Sequence, residues 1–249
     1  MKSIRLLKNH GFAELSRQTA RYMYVRTIRE FLPTLSEVKY AGIPISRERK
    51  FGDSAVPSFL LPHPLEDVEE YEQALIAAMH SEVRAGDKVT IVGGGEGVTT
   101  VVAANAVGET GSVVCYEGSK WCVEKVKATA ARNKVSTRRL TVNHAIVGEA
   151  ISVYGAPEDH SARVVAPADL PECDVLALDC EGAEILILRN LKFRPRAIAV
   201  ESHGIYGAPS KMVRELLEQL DYTVVDYGVA EPRDPQGCEA NDIRVLLGR

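Results

Sequence analysis

The chain has 249 residues, 45% hydrophobic and 26% charged, with a formal net charge of −4. That length suits one α/β domain with an extension, and the composition is ordinary for a globular protein. No apolar run approaches the roughly 20 residues that span a bilayer, and the basic N-terminus lacks the continuous apolar stretch of a secretory signal.

The charge is unevenly spread. Residues 1–50 carry eleven Lys/Arg against four Asp/Glu, a balance of +7, and the remainder carries nineteen against thirty, a balance of −11. The plainer reading of the basic segment is a solvated helix lying across an acidic body. An anionic substrate, a lipid surface or a nucleic acid is the alternative contact, and nucleic acid is the least expected. Phe12–Leu35 carries a helical pattern, with Leu15, Tyr22, Val25, Ile28 and Leu32 near one face. Pro33, Pro44, Pro57, Pro62 and Pro64 then break the chain into extended pieces and turns. Residues 1–65 are therefore expected to form a helical and irregular N-terminal extension, and residues 66–249 the main domain.

From Leu65 the periodicity is regular. Leu65–Arg84 reads as an amphipathic helix with acids in its first turns, as the helix dipole favours. Strands are expected at 88–92, 112–117, 140–145, 174–179, 197–201, 223–227 and 243–247, and helices at 98–107, 119–133, 182–190 and 209–220. Several strands are nearly continuous apolar runs, as in parallel strands covered on both faces. The alternation implies right-handed βαβ units and a doubly wound, Rossmann-like, mostly parallel sheet of seven strands. The last two strands, joined by a loop with Pro232 and Pro235 and no helix, are expected to close it as an antiparallel hairpin-like pair. Cys115, Cys122, Cys173, Cys180 and Cys238 form no C-x-x-C pair and no zinc-type cluster, which fits reduced thiols in a cytoplasm.

The chemistry starts at Val89-Thr-Ile-Val-Gly-Gly-Gly-Glu-Gly97, a buried strand running into a glycine-rich turn and then a helix. Gly93, Gly95 and Gly97 give G-x-G-x-G, the geometry of a nucleotide-like site at the mouth of a parallel sheet. The dinucleotide fingerprint would need glycine where Val98 stands. Glu117 ends the next strand, where an acid can accept hydrogen bonds from ribose hydroxyls; the plainer alternative is a solvated strand-end acid. Trp121 either flanks an adenine ring or packs its helix on the sheet. His144 and Ala145 close the third strand, near a base or sugar. In Val175-Leu-Ala-Leu-Asp-Cys-Glu-Gly-Ala-Glu184 a buried strand delivers Asp179 at its carboxyl end, with Glu181 and Glu184 close behind. All three carboxylates are expected at one crevice or its rim, although Glu184 could simply complement a helix N-terminus. The fifth strand ends in Ala199-Val-Glu-Ser-His-Gly204, presenting Glu201 and His203, the latter either a general base or a structural histidine.

With these residues in place the sequence resembles the class I S-adenosylmethionine-dependent methyltransferases. Leu178-Asp-Cys-Glu-Gly-Ala-Glu184, with Ala145-Ile-Val-Gly148, Val200-Glu-Ser-His203 and Leu220-Asp-Tyr222, resembles the FkbM-type family more specifically, over roughly residues 80–247. The resemblance implies an S-adenosylmethionine-binding domain over 66–249. It also implies cofactor contacts from Gly93, Gly94, Gly95, Glu96, Gly97, Glu117, Gly118, His144, Ala145 and Asp179. The implied reaction is methyl transfer to a hydroxyl of a sugar, glycan or other small natural product, with Asp179, Glu181 and His203 as catalytic candidates. The chain departs from the pattern at Ile91, where such enzymes place an acid; Glu96 is the candidate substitute for holding the methionine amino group. No metal is assigned, although the clustered carboxylates could hold Mg²⁺. Two rivals are a nicotinamide-dependent oxidoreductase and a non-catalytic binding protein with a degenerate cofactor site. A homo-oligomer is compatible with all three.

Overall fold

The computed structural model describes residues 38–45, 67–148 and 161–249. The helix expected over 12–35 lies outside the described residues. Within the expected N-terminal extension, β1 (Val38–Tyr40) and β2 (Ile43–Ile45) form a two-stranded sheet. Asn133 donates from its side chain to the Pro44 carbonyl at 2.7 Å.

The main sheet forms because its strands are short runs of β-branched and apolar residues that bury both faces. They are β3 (Lys88–Val92), β4 (Ser112–Glu117), β5 (Leu140–Val147), β6 (Arg163–Val165), β7 (Val175–Leu178), β8 (Ala197–Glu201), β9 (Val224–Val229) and β10 (Arg244–Gly248). Their order is β6-β5-β4-β3-β7-β8-β10-β9. The strands from β6 to β8 are parallel to one another, and β10 runs antiparallel to both β8 and β9.

The helices are α1 (Gln73–Glu82), α2 (Val98–Ala106), α3 (Lys120–Arg132), α4 (Glu184–Asn190), α5 (Ser210–Gln219) and α6 (Pro235–Asn241). On one face Val89, Ile91, Val113, Ala177 and Ala199 pack with Leu75 and Met79 of α1 and Val101 of α2. On the other, Val92, Leu176, Leu178, Ile198 and Val200 pack with Ile187 and Leu188 of α4 and Val213 and Leu217 of α5. At about 1.5–3 kcal/mol per buried aliphatic side chain, these two layers are what hold the crevice-forming strand ends in place.

Among the described residues the sheet has eight strands, not seven. The extra strand β6 is three residues long with two of them exposed, so it carries no apolar run to read. By pairing with Ala145–Val147 it extends β5 beyond the expected end at Ala145. The loop between β9 and β10 holds a short helix, α6, where none is expected. Pro235 stands in its first turn, where a missing N–H costs nothing, and the Asp234 side chain caps it by accepting the Gly237 N–H at 3.0 Å. The expected helix over 65–84 is shorter. It begins at Gln73 because Glu72 takes a left-handed conformation, φ 47°, which rarely suits a side-chain-bearing residue. The acids before it therefore lie in a turn and not on a helix. Among the described residues no helix is long and apolar enough to cross a membrane.

Candidate functional site

The strand order reverses beside β3, with β4 on one side and β7 on the other, and a crevice outside the carboxyl ends of the strands is the usual consequence. Gly93–Gly97, Glu117, Asp179, Glu181, Glu201 and His203 all follow or close these strand ends.

The glycine turn is dictated by close packing. Gly93 has φ 96°, and a Cβ there would lie 1.7 Å from the Asp179 carbonyl oxygen. Gly97 has φ 86°, and its Cβ would approach the Val126 Cα at 2.9 Å. The turn is thus wedged between β7 and α3. Its amides are turned to one carboxylate: Gly94 and Gly95 donate to Glu117 Oε2 at 2.8 and 3.1 Å, and Ser119 donates to Oε1 at 2.8 Å. Three of the roughly four acceptor positions of Glu117 are used, which locks the carboxylate at the turn and leaves acceptor capacity on Oε1.

His144 lies opposite Glu117 in the β4–β5 register. Its Nε2 is 3.2 Å from the Gly118 carbonyl, and Ala145 is buried. Trp121 does not pack its helix on the sheet. It is 41% exposed, with the Lys125 ammonium 3.5 Å from its ring centre.

Glu96 is not available in the way its place in the turn suggests, because its carboxylate pairs with Lys125. Ile91 is fully buried. The carboxylate that does approach the turn belongs to Glu72. Its Oε2 accepts the Thr99 hydroxyl at the start of α2, its backbone N–H donates to Glu231 Oε1 at 3.1 Å, and a Cβ on Gly95 would lie 3.8 Å from both Glu72 Oε1 and the Tyr71 hydroxyl. Loss of water and the nearby Asp179 carboxylate push Glu72 up to about 8. Sequence reasoning missed this residue because Glu72 belongs to an acid-rich run that reads as the first turns of a helix. The left-handed kink that redirects it has no local signature.

The second half of the site is the loop after β7. Asp179 is part-buried; desolvation raises it to about 6, against the lowering effect of His203. Glu181 sits at φ 53° on the rim, half-buried, and burial and Asp179 raise its carboxyl. Glu184 does not face the crevice. It is fully buried and accepts the amides of Cys180 (3.2 Å) and Gly182 (2.8 Å) together with His203 Nδ1 at 2.8 Å. Glu184 therefore buckles its own loop and fixes the imidazole.

The opposite ring nitrogen, Nε2, faces Asp179 Oδ1 at 3.6 Å and Glu201 Oε1 at 3.7 Å. Burial lowers the basicity of His203, but the bond to Glu184 and the surrounding carboxylates outweigh it, and the net shift is upward. Burial holds Glu201 well above the usual carboxylate range, with Asp179, Glu72 and Glu231 adding to the effect. The loop carrying His203 is itself clamped. Its amide and carbonyl pair with Ala208, and Asp242 accepts the Ser210 amide and hydroxyl at 2.8 and 2.6 Å.

No family model matches the sequence, and no curated protein matches it. Solved structures do. The ribosomal protein L11 methylase of Lactobacillus delbrueckii subsp. bulgaricus is similar at a TM-score of 0.51 with 10% identity, over 73% of this chain and 78% of that one. The precorrin-6y C5,15-methyltransferase of Geobacter metallireducens matches at 0.46 and 14%, over 73% and 88%. A SAM-dependent O-methyltransferase of Thermotoga maritima matches at 0.44 and 18%, over 71% and 64%. At these identities the likeness is one of fold alone: an α/β architecture around a mostly parallel central sheet.

Proposed function

We propose that the protein is an S-adenosylmethionine-dependent methyltransferase of the FkbM type that methylates a hydroxyl oxygen on a sugar, glycan or other small natural product. The observation that carries this reading is the convergence of a glycine turn, a locked strand-end carboxylate and a second, carboxylate-rich wall at one switch point. The donor set suits the cofactor, which bears a sulfonium, an ammonium and a ribose, because two positive centres meet acids and two hydroxyls meet an acceptor. When bound, the cofactor supplies an electrophilic methyl group. Glu117 Oε1 accepts from a ribose hydroxyl, and Glu72 takes the place left by Ile91 in facing the ammonium. Asp179 lies between the cofactor side and the acceptor side. The acceptor oxygen must be held in line at near-attack distance, about 3 Å. Asp179 and His203 orient it, and Glu181 at the rim receives its proton. The Asp-Cys-Glu-Gly-Ala-Glu run supports the narrower family reading because each of its acids has a distinct job: Asp179 and Glu181 at the crevice, Glu184 behind His203. In this proposal residues 1–65 are an N-terminal extension of the cofactor-binding domain, and the domain boundary falls near residue 66.

Thermal unfolding with added ligand tests the reading. S-adenosylhomocysteine at 100 times its Kd should stabilise the fold by roughly 2.7 kcal/mol, NAD should not, and Glu117→Ala should remove the response. A response to NAD alone would transfer the site to a nicotinamide cofactor. No response to either ligand would leave a non-catalytic binding protein.

A further inference from the structure

Glu201 is the oddest residue in the site. It ends β8, is only 8% exposed, and its Oε2 has no hydrogen-bond partner. Its Oε1 faces His203 Nε2 at 3.7 Å, too long for a hydrogen bond. Leaving a buried carboxylate without donors is costly, and native structures rarely do so without a ligand to meet it.

Its surroundings have the form of a metal site. Asp179, Glu201 and His203 each offer a donor atom, and all three lie within 4.8 Å of one another. Nε2 is 3.6 Å from Asp179 Oδ1 and 3.7 Å from Glu201 Oε1. Ligands on a cation at about 2.1 Å stand about 3.0–3.4 Å apart, so the two histidine separations are a few tenths of an ångström too long, and the Asp179 and Glu201 oxygens, within 4.8 Å of each other, close on the ion as it binds. The other ring nitrogen is already committed, since Nδ1 bonds to the fully buried Glu184 at 2.8 Å. A carboxylate behind a histidine is the usual second layer of a metal centre, fixing the ring so that its free nitrogen points at the ion. Glu184 is held in turn by the Cys180 and Gly182 amides, so the ring is oriented by the Asp-Cys-Glu-Gly-Ala-Glu loop itself.

We infer that Asp179, Glu201 and His203 bind one divalent transition-metal ion, with Glu184 as the residue that positions His203. One nitrogen and two carboxylate donors favour Mn²⁺, Fe²⁺ or Zn²⁺ over Mg²⁺ or Ca²⁺, which prefer all-oxygen shells. Three protein ligands leave coordination positions open to solvent or to an acceptor oxygen. The site itself is independent of the methyl-transfer reading. Only the use of those open positions by an acceptor hydroxyl rests on it; with the ion bound, Asp179 and His203 orient that hydroxyl through the metal.

The test uses the full chain, stripped with chelator and titrated with Mn²⁺ and with Zn²⁺ by calorimetry, with Mn²⁺ also followed by its electron spin resonance. One ion should bind per chain, more tightly than Mg²⁺ in a parallel titration. Glu201→Gln and His203→Ala should each weaken binding at least tenfold, and Glu184→Gln by 10–100-fold through loss of ring orientation. Glu124→Gln, on the exposed face of α3, should leave it unchanged. Circular dichroism confirms that each variant is folded. Less than a tenth of an ion per chain, or affinities that Glu201→Gln and His203→Ala leave alone, would overturn the site. Metal binding without any response to S-adenosylhomocysteine would uphold the site and remove the methyltransferase; a response to S-adenosylhomocysteine without metal binding would do the reverse.

Discussion

The two edges of the main sheet handle charge in opposite ways. At the amino edge the buried acids among the described residues, Glu82 and Asp87, have partners. Asp87, just before β3, accepts two bonds from the Arg196 guanidinium at 2.6 and 3.3 Å and the Arg84 amide at 2.8 Å. Asp174, just before β7, takes the Lys88 amide at 2.8 Å, and Arg196 also donates to the Glu82 carbonyl. At the carboxyl edge Asp179 and Glu201 both face the His203 imidazole, and Glu72 accepts the Thr99 hydroxyl. The same strands connect the two edges, so the difference is not one of fold. The amino edge is arranged for stability, with Asp87 matched by the Arg196 guanidinium, although Arg196 Nε itself is buried without a hydrogen-bond partner among the described residues. The carboxyl edge gathers acids whose burial and mutual proximity hold protons on them, and a cationic ligand would favour their ionised forms.

The glycines at the two edges sharpen this contrast most. Gly93, at the carboxyl edge, and Gly108, in the turn that returns to the amino edge, both have positive φ, 96° and 66°. A Cβ on Gly93 collides with the Asp179 backbone, whereas one on Gly108 meets nothing within 4 Å. Gly93→Ala should cost about 4 kcal/mol or more, or yield no folded protein, because backbone must move. Gly108→Ala should cost about 1 kcal/mol from conformation alone. Urea midpoints for the two variants measure the gap, and equal losses would show that the turn is looser than the packing indicates.

Next in size is the ion pair at the amino edge. Arg196→Ala leaves Asp87 nearly buried, with its Arg84 amide bond but no cation. Breaking such a pair should lower stability by about 2–4 kcal/mol, read from urea unfolding at neutral pH. A loss below about 0.5 kcal/mol would place Asp87–Arg196 among the ion pairs that contribute little and would undo the contrast between the edges.

What the sequence made legible follows the same division. The strands with apolar runs, such as Val175–Leu178 and Ala197–Val200, announce themselves, because burial on both faces demands it. So do residues a strand end must deliver, Glu117 and Asp179 among them. Three-residue β6 has no such run, and α6 is specified by its Asp-Pro start within a segment that otherwise reads as loop. At the site, spacing could place Glu184 near the crevice but could not show that it turns inward to hold His203. That depends on which way a side chain leaves the first turn of α4. Glu72 was beyond reach for a related reason. Its role comes from one left-handed residue ahead of α1 and from contacts with Thr99 and Glu231, 27 and 159 residues away. The pairing of Glu96 with Lys125 likewise joins a loop to a helix across 29 residues.

The smallest effect is also the one that tests the charge argument most directly. Glu72 titrates near 8 in the folded protein against an ordinary value of 4.5, so the native state binds its proton more tightly than the unfolded chain does. A raised acid of this kind contributes its full stability below about pH 4.5 and loses it as the pH climbs through about 8. The ligand-free protein should therefore grow less stable between pH 5 and pH 8, opposite to a protein held by ionised carboxylates. Glu72→Gln keeps an oxygen for Thr99 but cannot ionise. It should match the parent at pH 5 and exceed it at pH 8 by about 1–2 kcal/mol, a modest share of what the shift allows because the carboxylate keeps some contact with water. Thermal melts of both proteins at pH 5, 6.5 and 8 decide the matter. Parallel curves would mean that Glu72 reaches water freely, and burial at the carboxyl edge would then hold protons less firmly than its geometry implies.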